Sequence, residues 1–241
     1  MNEKDWFART GLLIGREGVD KLKQSHVLVA GLGGVGSYAA EAICRAGVGQ
    51  ITIADHDRVS ITNLNRQLLA LHSTIGLSKV RLMADRLKDI NPALQLKAHE
   101  VYLKDAVIPD ILSEKFDFVI DAIDTLSPKI YFIKQCIERG FPLVSSMGSG
   151  GRMDPMQIRI ADIADSFGCP FAQVVRKKLH GLNIRTGFRV VFSSEPVPKH
   201  VRVVTDHEAN KKSTVGTISY MPAIFGMMAA SVVINGLLKK G

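Results

Sequence analysis

Cysteine is scarce in this 241-residue chain, and what there is lies far apart: Cys44, Cys136 and Cys169. No Cys-x-x-Cys pair occurs, which excludes a cysteine-built structural zinc cluster, and there is no even disulfide framework. Reduced thiols, and hence a cytoplasmic setting, are the expectation. The first eleven residues are polar, with Lys4, Asp5 and Arg9, and lack the apolar core of a signal peptide. Aromatic residues make up only 6% of the chain, with a single tryptophan, and no aromatic-rich RNA-binding module interleaves its basic residues. Internal repeats and low-complexity tracts are absent. Long apolar runs are limited to residues 221–238, whose length is at the lower limit for crossing a bilayer. That run carries Pro222, Asn235 and the small residues Gly226, Ala229, Ala230 and Ser231, which suit close packing on a sheet. A helix apolar all round is buried either in protein or in lipid. The reading is a buried protein helix, with a membrane span as the alternative.

Acidic residues are lacking in one region only. Residues 1–169 hold 20 Lys/Arg and 20 Asp/Glu, whereas residues 170–241 hold 11 and 3, so the entire net charge of +8 sits in the final third. Its clusters are Arg176-Lys177-Lys178, Arg185 with Arg189, Lys199-His200-Val201-Arg202 and Lys211-Lys212. Charge this concentrated points to a polyanion held by the C-terminal part. A solvated basic face is the bland alternative.

What is present is concentrated between His26 and Gln67. A short apolar run, residues 27–30, leads into Gly31-Leu32-Gly33-Gly34-Val35-Gly36, and a helical pattern follows. A strand, a glycine loop and a helix in this order lay phosphate on backbone N–H groups and a helix N-terminus. Nineteen residues past Gly36, a second apolar run ends in Asp55, where a carboxylate binds a ribose hydroxyl. These features alone say nucleotide. The segment Asn63-Leu64-Asn65-Arg66-Gln67 adds a cation and amides that a dinucleotide does not need and a triphosphate does.

Further along, strand and helix patterns alternate as in a parallel, helix-covered sheet. Residues 77–90 read as a helix stopped by Asn91-Pro92, 94–101 as a strand, and 116–120 as a buried strand ending in Asp121-Ala122-Ile123-Asp124. A helix starting at Ser127-Pro128 runs to about residue 139, followed by a strand at 142–146. After Gly148-Ser149-Gly150-Gly151 the character changes: antiparallel strands are expected at 157–161, 188–193 and 201–204, around one polar helix at 170–180. Residues 199–217 read as a mobile loop. The fold class is therefore α/β, a Rossmann-like, doubly wound and mainly parallel sheet. Residues 1–155 would form a nucleotide-binding unit, and residues 156–241 an antiparallel C-terminal extension completing the same fold.

Arg9, residues 31–36, Asp55-His56-Asp57, residues 63–67, Lys79 and Asp121-Ala122-Ile123-Asp124 together resemble the ubiquitin-activating-like adenylating superfamily, whose members activate a carboxylate with ATP. The segments Gly148-Ser149-Gly150-Gly151-Arg152-Met153-Asp154-Pro155, Asp162-Ile163-Ala164-Asp165 and Val191-Phe192-Ser193-Ser194-Glu195 are similar to the branch that dehydrates threonylcarbamoyladenosine in tRNA.

The resemblance implies ATP and Mg²⁺ as cofactors and modified tRNA as the partner, on the basic third. It implies a homodimer, in which Arg9 reaches the phosphates of the other subunit, and leaves room for a sulfur-transfer accessory protein. Gly31, Gly33, Gly34 and Gly36 would admit the phosphates to backbone amides. Asp55 would fix the ribose, and Asn63 and Gln67 would donate neutral hydrogen bonds. Arg66, a planar fork, and Lys79, a point charge, would face the polyphosphate. Asp124 would hold the metal, with capping of the following helix as its structural alternative. Asp57 matches an acidic position beside the nucleotide loop. An adenylating enzyme for a ubiquitin-like sulfur-carrier protein shares this site, but many such relatives carry two Cys-x-x-Cys pairs that this chain lacks. An NAD-dependent oxidoreductase would use residues 31–36 and Asp55 but leaves residues 63–67 unexplained. No cysteine is assigned a catalytic role.

Overall fold

The computed structural model describes residues 6–204 and 213–239. Nine strands are found there: β1 (His26–Ala30), β2 (Gln50–Asp55), β3 (Gln95–Glu100), β4 (Phe118–Asp121), β5 (Leu143–Ser146), β6 (Ile158–Asp162), β7 (Arg189–Ser193), β8 (Arg202–Val204) and β9 (Ser213–Val215). The helices are α1 (Ala8–Gln24), α2 (Gly36–Ala46), α3 (Lys79–Ile90), α4 (Val107–Ile111), α5 (Leu126–Glu138), α6 (Pro170–His180) and α7 (Tyr220–Lys239).

Seven strands form one sheet in the order β3-β2-β1-β4-β5-β7-β6, and β8 and β9 pair separately. Every neighbouring pair in the large sheet is parallel except β6 with β7. The antiparallel strands expected after residue 156 are found in the β6–β7 and β8–β9 pairs, and β7 also lies parallel to β5, which joins the first pair to the main sheet. Strand β1 shows why the sheet is covered on both faces. Val27 and Val29 point into a core shared with α2, α3 and α7, while Leu28 and Ala30 point into a second core under α4, α5 and α6. A strand buried on both faces reads as continuous apolar sequence rather than alternation, as His26–Ala30 does.

Helix α7 lies against α2, with Gly226 allowing close approach to the Val35 carbonyl and Tyr38. Its Met221, Phe225, Ala229, Val233 and Leu237 enter the same core as Val29 and Ile120. Helix α7 is the one described helix long and apolar enough to cross a membrane; its sheet side packs in protein, as the buried-helix reading expects, and Lys21 Nζ stands 3.0 Å from the Leu238 carbonyl at its far end. Part of the 199–217 segment, expected as a mobile loop, is paired strand. The segment contains the β8–β9 hairpin, whose connection, residues 205–212, lies outside the described residues.

Two elements were not expected from the sequence. Helix α1 is broken at Gly15, whose φ of 73° and ψ of 172° no helix contains, so its halves present short, separate apolar stripes. Helix α4 is a five-residue piece containing Pro109, too short for a 3.6-residue period to register.

Candidate active site

Strands β2 and β3 lie to one side of β1, and β4 and β5 to the other, so the chain reverses its winding between β1 and β4. In open α/β sheets this switch point, at the carboxyl ends of the strands, is where ligands bind. Two loops meet there. Gly31, with φ of 92°, stands where an added Cβ would lie 2.8 Å from the Ala122 carbonyl, and a Cβ on Gly36 would strike the Gly31 carbonyl. The glycine loop is therefore as tight as it can be against residues 121–124, and its backbone N–H groups face the opening of α2.

Asp55, buried at the end of β2, fixes this loop. Its Oδ2 accepts from the Leu32 N–H at 2.5 Å and its Oδ1 from the Asp57 N–H at 2.7 Å. A ribose hydroxyl would have to use the remaining lone pairs of a carboxylate already fixed by two backbone donors. Gln67 comes next to the loop, its Nε2 3.9 Å from the Cβ position of Gly33, and its buried Oε1 has no hydrogen-bond partner. An unmatched buried acceptor beside a phosphate-binding loop fits a donor supplied by a ligand.

Residues 63–67 close the site from the other side. Asn63 Oδ1 accepts from the Ser60 N–H at 3.2 Å, so part of its amide holds its own turn. Arg66 Nη1 donates to the Thr62 carbonyl and to Asn65 Oδ1, both at 2.8 Å, leaving a cation whose bonds go only to uncharged oxygens. Asn65 Nδ2 in turn donates to the Thr217 carbonyl at 2.9 Å, tying the segment to the strand end before α7. Lys79, the first residue of α3, is 3% exposed, and its Nζ stands 2.7 Å from Asp57 Oδ2. The two residues matched separately in the sequence thus form one ion pair. Asp55, His56 and Asp57 bring one potential ligand atom each within 4.8 Å. Asp55 bonds backbone amides, and Asp57 faces Lys79 and His56, so both carboxylates already have partners within the protein.

Asp124 is exposed, one residue before Thr125, which takes the N-cap position of α5. Thr125 makes no side-chain cap bond there. What holds the turn is Asp121, which the sequence allowed to be read as loop support rather than a metal ligand, with Lys129, a partner that sequence reading passed over. Asp121 and Lys129 are both fully buried and 2.8 Å apart; Ser145 Oγ donates to Asp121 Oδ2 at 2.6 Å, and Lys129 Nζ donates to the Ile123 carbonyl at 2.9 Å. The signal available was a lysine in an otherwise apolar helical stripe, eight residues after a strand-ending aspartate.

Arg9 is not brought to this site. Phe7 packs at Gly47, the C-cap of α2, whereas the glycine loop is at the other end of that helix. Eleven helical residues span roughly 16 Å, farther than an arginine beside Phe7 can reach. The basic clusters also separate. Helix α6 starts next to Gly148, where Phe171 packs, and runs to the amino-terminal edge of the sheet, so Lys177, Lys178, Arg185 and Arg189 lie at the edge opposite the glycine loop. Arg176 does not belong to a solvated face: its guanidinium donates to the Ser166 carbonyl and hydroxyl. Lys199 and Arg202 lie by contrast in the segment packed on residues 148–151, where Val201 meets Gly151. Lys211 and Lys212 are outside the described residues.

At that opposite edge a cleft of about 620 Å³ opens among His26, Gln50, Gln95, Lys97, Glu114 and Lys115. It touches none of the glycine loop, the 63–67 segment or the acidic turn. The three cysteines are free and buried. Burial pushes the Cys44 thiol up to about 11 and the Cys136 thiol higher still, so neither supplies a thiolate.

A switch-point glycine loop with an acid on the next strand, an Arg–Lys pair and an acidic turn defines a nucleotide-dependent α/β protein, and the match to the ThiF family over residues 7–241 makes the chain a member of that family. Among its relatives, the tRNA threonylcarbamoyladenosine dehydratase of Bacillus subtilis is 41% identical over 240 residues, covering 97% of this chain and 94% of that one. The Escherichia coli enzyme of the same name is 33% identical over 251 residues, with 97% and 94% covered. The crystal structure of that E. coli enzyme, TcdA, in complex with ATP superposes with a TM-score of 0.88 at 33% identity, again over 97% and 94% of the two chains.

Proposed function

We propose that this chain dehydrates threonylcarbamoyladenosine in tRNA at the expense of ATP, by adenylating the threonyl carboxylate. The observation that carries the reading is the meeting of the glycine loop, the Arg66 segment and the Asp57–Lys79 pair at one switch point. It is supported by near full-length likeness to enzymes of that name.

The chemistry follows from charge. A carboxylate attacking the α-phosphate approaches a polyanion and expels pyrophosphate, so positioning and electrostatic stabilisation do most of the work. The backbone amides of residues 33–36 take phosphate oxygens, those of Gly31 and Leu32 being bonded to the Ala54 carbonyl and to Asp55; Asp55 takes the ribose, and Gln67 and Asn63 offer neutral contacts. Arg66 gives a planar fork to the polyphosphate, and Lys79, already neutralised by Asp57, gives a point charge at the buried side. The adenylate carries the activated acyl group. A nucleophilic atom of the modification itself attacks it, the carboxylate oxygen leaves with AMP, and a ring closes with net loss of one water. An internal nucleophile needs orientation and a dry pocket rather than an enzyme thiol, in keeping with buried cysteines.

Asp124 fits magnesium: it is a hard oxygen donor, exposed, at the carboxyl end of β4, where one carboxylate joins phosphate oxygens and water in the coordination that Mg²⁺ prefers. Bound there, the ion would neutralise phosphate charge. Arg9, too distant from the glycine loop of its own chain, acts on the site of a second copy, which makes the working unit a homodimer. The C-terminal basic residues meet tRNA phosphates.

Incubation with ATP, Mg²⁺ and tRNA bearing the modification, followed by nucleoside mass analysis, tests the reading. Loss of one water with release of AMP and pyrophosphate is expected. Release of AMP without any change in the nucleoside would reject it.

A further inference from the structure

Arg152 is 2% exposed, and its guanidinium is only partly matched. Nε donates to the Glu195 carbonyl at 3.3 Å and Nη1 to the Gly148 carbonyl, while the buried Nη2 has no hydrogen-bond partner. Among the described residues no carboxylate answers the charge. The nearby Glu195 side chain is turned to the backbone, accepting from the Met153 N–H at 2.9 Å and the Asp154 N–H at 2.9 Å. A buried cation without a counter-ion is destabilising, because neither water nor an opposite charge replaces its hydration. Such a group is retained where an anion completes it.

The place of Arg152 says which anion. It ends the loop after β5, at the same carboxyl edge as the acidic turn after β4. β5 is two strands from β1, roughly 10 Å at ordinary strand spacing. The loop is joined to the phosphate side through a continuous set of contacts: a Cβ on Gly150 would lie 3.1 Å from Thr217 Oγ1, the Thr217 carbonyl accepts from Asn65, and Asn65 accepts from Arg66. An anion held at Arg152 would therefore lie on the same edge as the glycine loop, within the reach of a bound nucleoside.

Resting on the dehydratase reading, we propose that Arg152 forms a subsite for the carboxylate of the modified nucleoside, holding it by Nη2 before transfer to the α-phosphate. A planar guanidinium with two nitrogens fixed by backbone carbonyls is already oriented, so little conformational freedom is lost on binding. Burial strengthens the contact, since charge acts over low dielectric. Entry requires the 195–201 and 213–217 segments to part from the loop. They are joined to it by the Gly151 N–H to Gly216 carbonyl bond of 2.7 Å and by Val197, Val201 and Val215 around Gly151.

The test compares wild type with Arg152→Gln for affinity toward tRNA with the modification and the same tRNA without it, with ATP affinity as control. Wild type should prefer the modified tRNA. The variant should lose at least about tenfold on modified tRNA, the loss expected for one charge-assisted hydrogen bond, and nothing on unmodified tRNA or ATP. Equal weakening toward both RNAs would assign Arg152 to a backbone phosphate and overturn the carboxylate subsite, as would an unchanged preference. If wild type neither prefers the modified tRNA nor dehydrates it, the functional reading itself fails, a result distinct from either. Should Arg152→Gln not fold, ¹⁵N-arginine NMR of the wild type decides. The free modified nucleoside should shift the Arg152 Nη signal and adenosine should not, and an unshifted signal overturns the proposal.

Discussion

Lys129 Nζ stands 2.8 Å from Asp121 Oδ2 with both side chains fully buried, and the same ammonium bonds the Ile123 carbonyl while Asp121 Oδ1 accepts the Ile123 N–H at 3.0 Å. One ion pair therefore grips both polar groups of the residue before Asp124. It also sets Ala122, whose N–H donates to the Ala30 carbonyl at 2.8 Å and whose own carbonyl meets Gly31. The turn proposed to hold magnesium and the loop proposed to hold phosphate share this anchor.

Removing one partner leaves the other charged and buried. Lys129→Met should cost about 3–5 kcal/mol of stability, read by urea unfolding, whereas Asp121→Asn with Lys129→Met together should cost clearly less. Equal losses in the single and double variants would mean that the pair contributes only packing.

Arg66 and Lys79 should behave differently from each other. Arg66→Ala should slow adenylation by an amount equivalent to about 1.5–3 kcal/mol and leave the melting temperature near that of wild type, because its bonds are local and to uncharged oxygens. Lys79→Ala should lose activity and stability together, since Asp57 is left without the buried ammonium it faces. Pyrophosphate exchange and thermal melts on both variants check this; wild-type exchange by Arg66→Ala would remove it from the phosphate site.

Asp124→Asn should raise the magnesium needed for half-maximal adenylation far more than it lowers the melting temperature. The side chain is exposed, and the buried Asp121–Lys129 pair that anchors the turn is left intact by the substitution. A magnesium titration superposable on that of wild type would reject the metal assignment.

The sheet was legible wherever burial on both faces made the pattern continuous, as in β1, β2, β4 and β5, and wherever a helix was long enough to repeat its stripe, as in α3 and α6. Parallel placement of β7 was not legible, because a short apolar run carries no mark of its neighbour's direction. The places of Gly31 and Asp55 at the strand ends were legible because close backbone approach and a strand-ending acid restrict residue type at fixed spacing. Lys129 and Arg152 were not, since nothing local in sequence tells a buried cation from a solvated one; only the partners assembled by the fold do. The same blindness grouped Arg176 with Lys177 and Lys178 as a polyanion-facing cluster, although Ser166 holds it.

His26 provides a pH dependence remote from the site. Burial lowers its pKa, against the opposing pull of Glu114, and its Nε2 lies 2.8 Å from Thr52 Oγ1. The unfolded chain therefore binds the proton more readily than the folded one. Stability contributed by the neutral ring is complete above the unfolded value near 6.5 and is lost as pH falls from there through the lower folded value. His26→Gln should flatten this part of the stability profile without altering nucleotide binding. An unchanged slope in urea midpoints below pH 6.5, itself the ordinary histidine value, would show that the ring titrates alike in both states.

The basic excess should divide into two functional classes, because the fold sends its clusters to opposite edges. Lys199 and Arg202 lie in the segment packed on residues 148–151, beside the proposed adenylation site, and Lys211 and Lys212 follow in sequence. Lys177 and Lys178 are exposed near the far end of α6, roughly 16 Å from its start. A modified base held at the glycine-loop edge brings its flanking phosphates there first. Each phosphate neutralised releases counterions and adds about 0.7–0.9 to the slope of log affinity against log salt. Neutralising Lys199, Arg202, Lys211 and Lys212 together should weaken tRNA binding and lower that slope, with ATP affinity unchanged. Neutralising Lys177 and Lys178 should have a smaller effect on both quantities. Arg176 is left intact in either set, because its bonds to Ser166 make its loss a structural change. Filter binding across a salt series separates the cases. A larger loss from the Lys177/Lys178 variant would put the main RNA surface at the far edge and reverse the assignment, and wild-type slopes from both variants would leave the positive third as a solvated face with no RNA role.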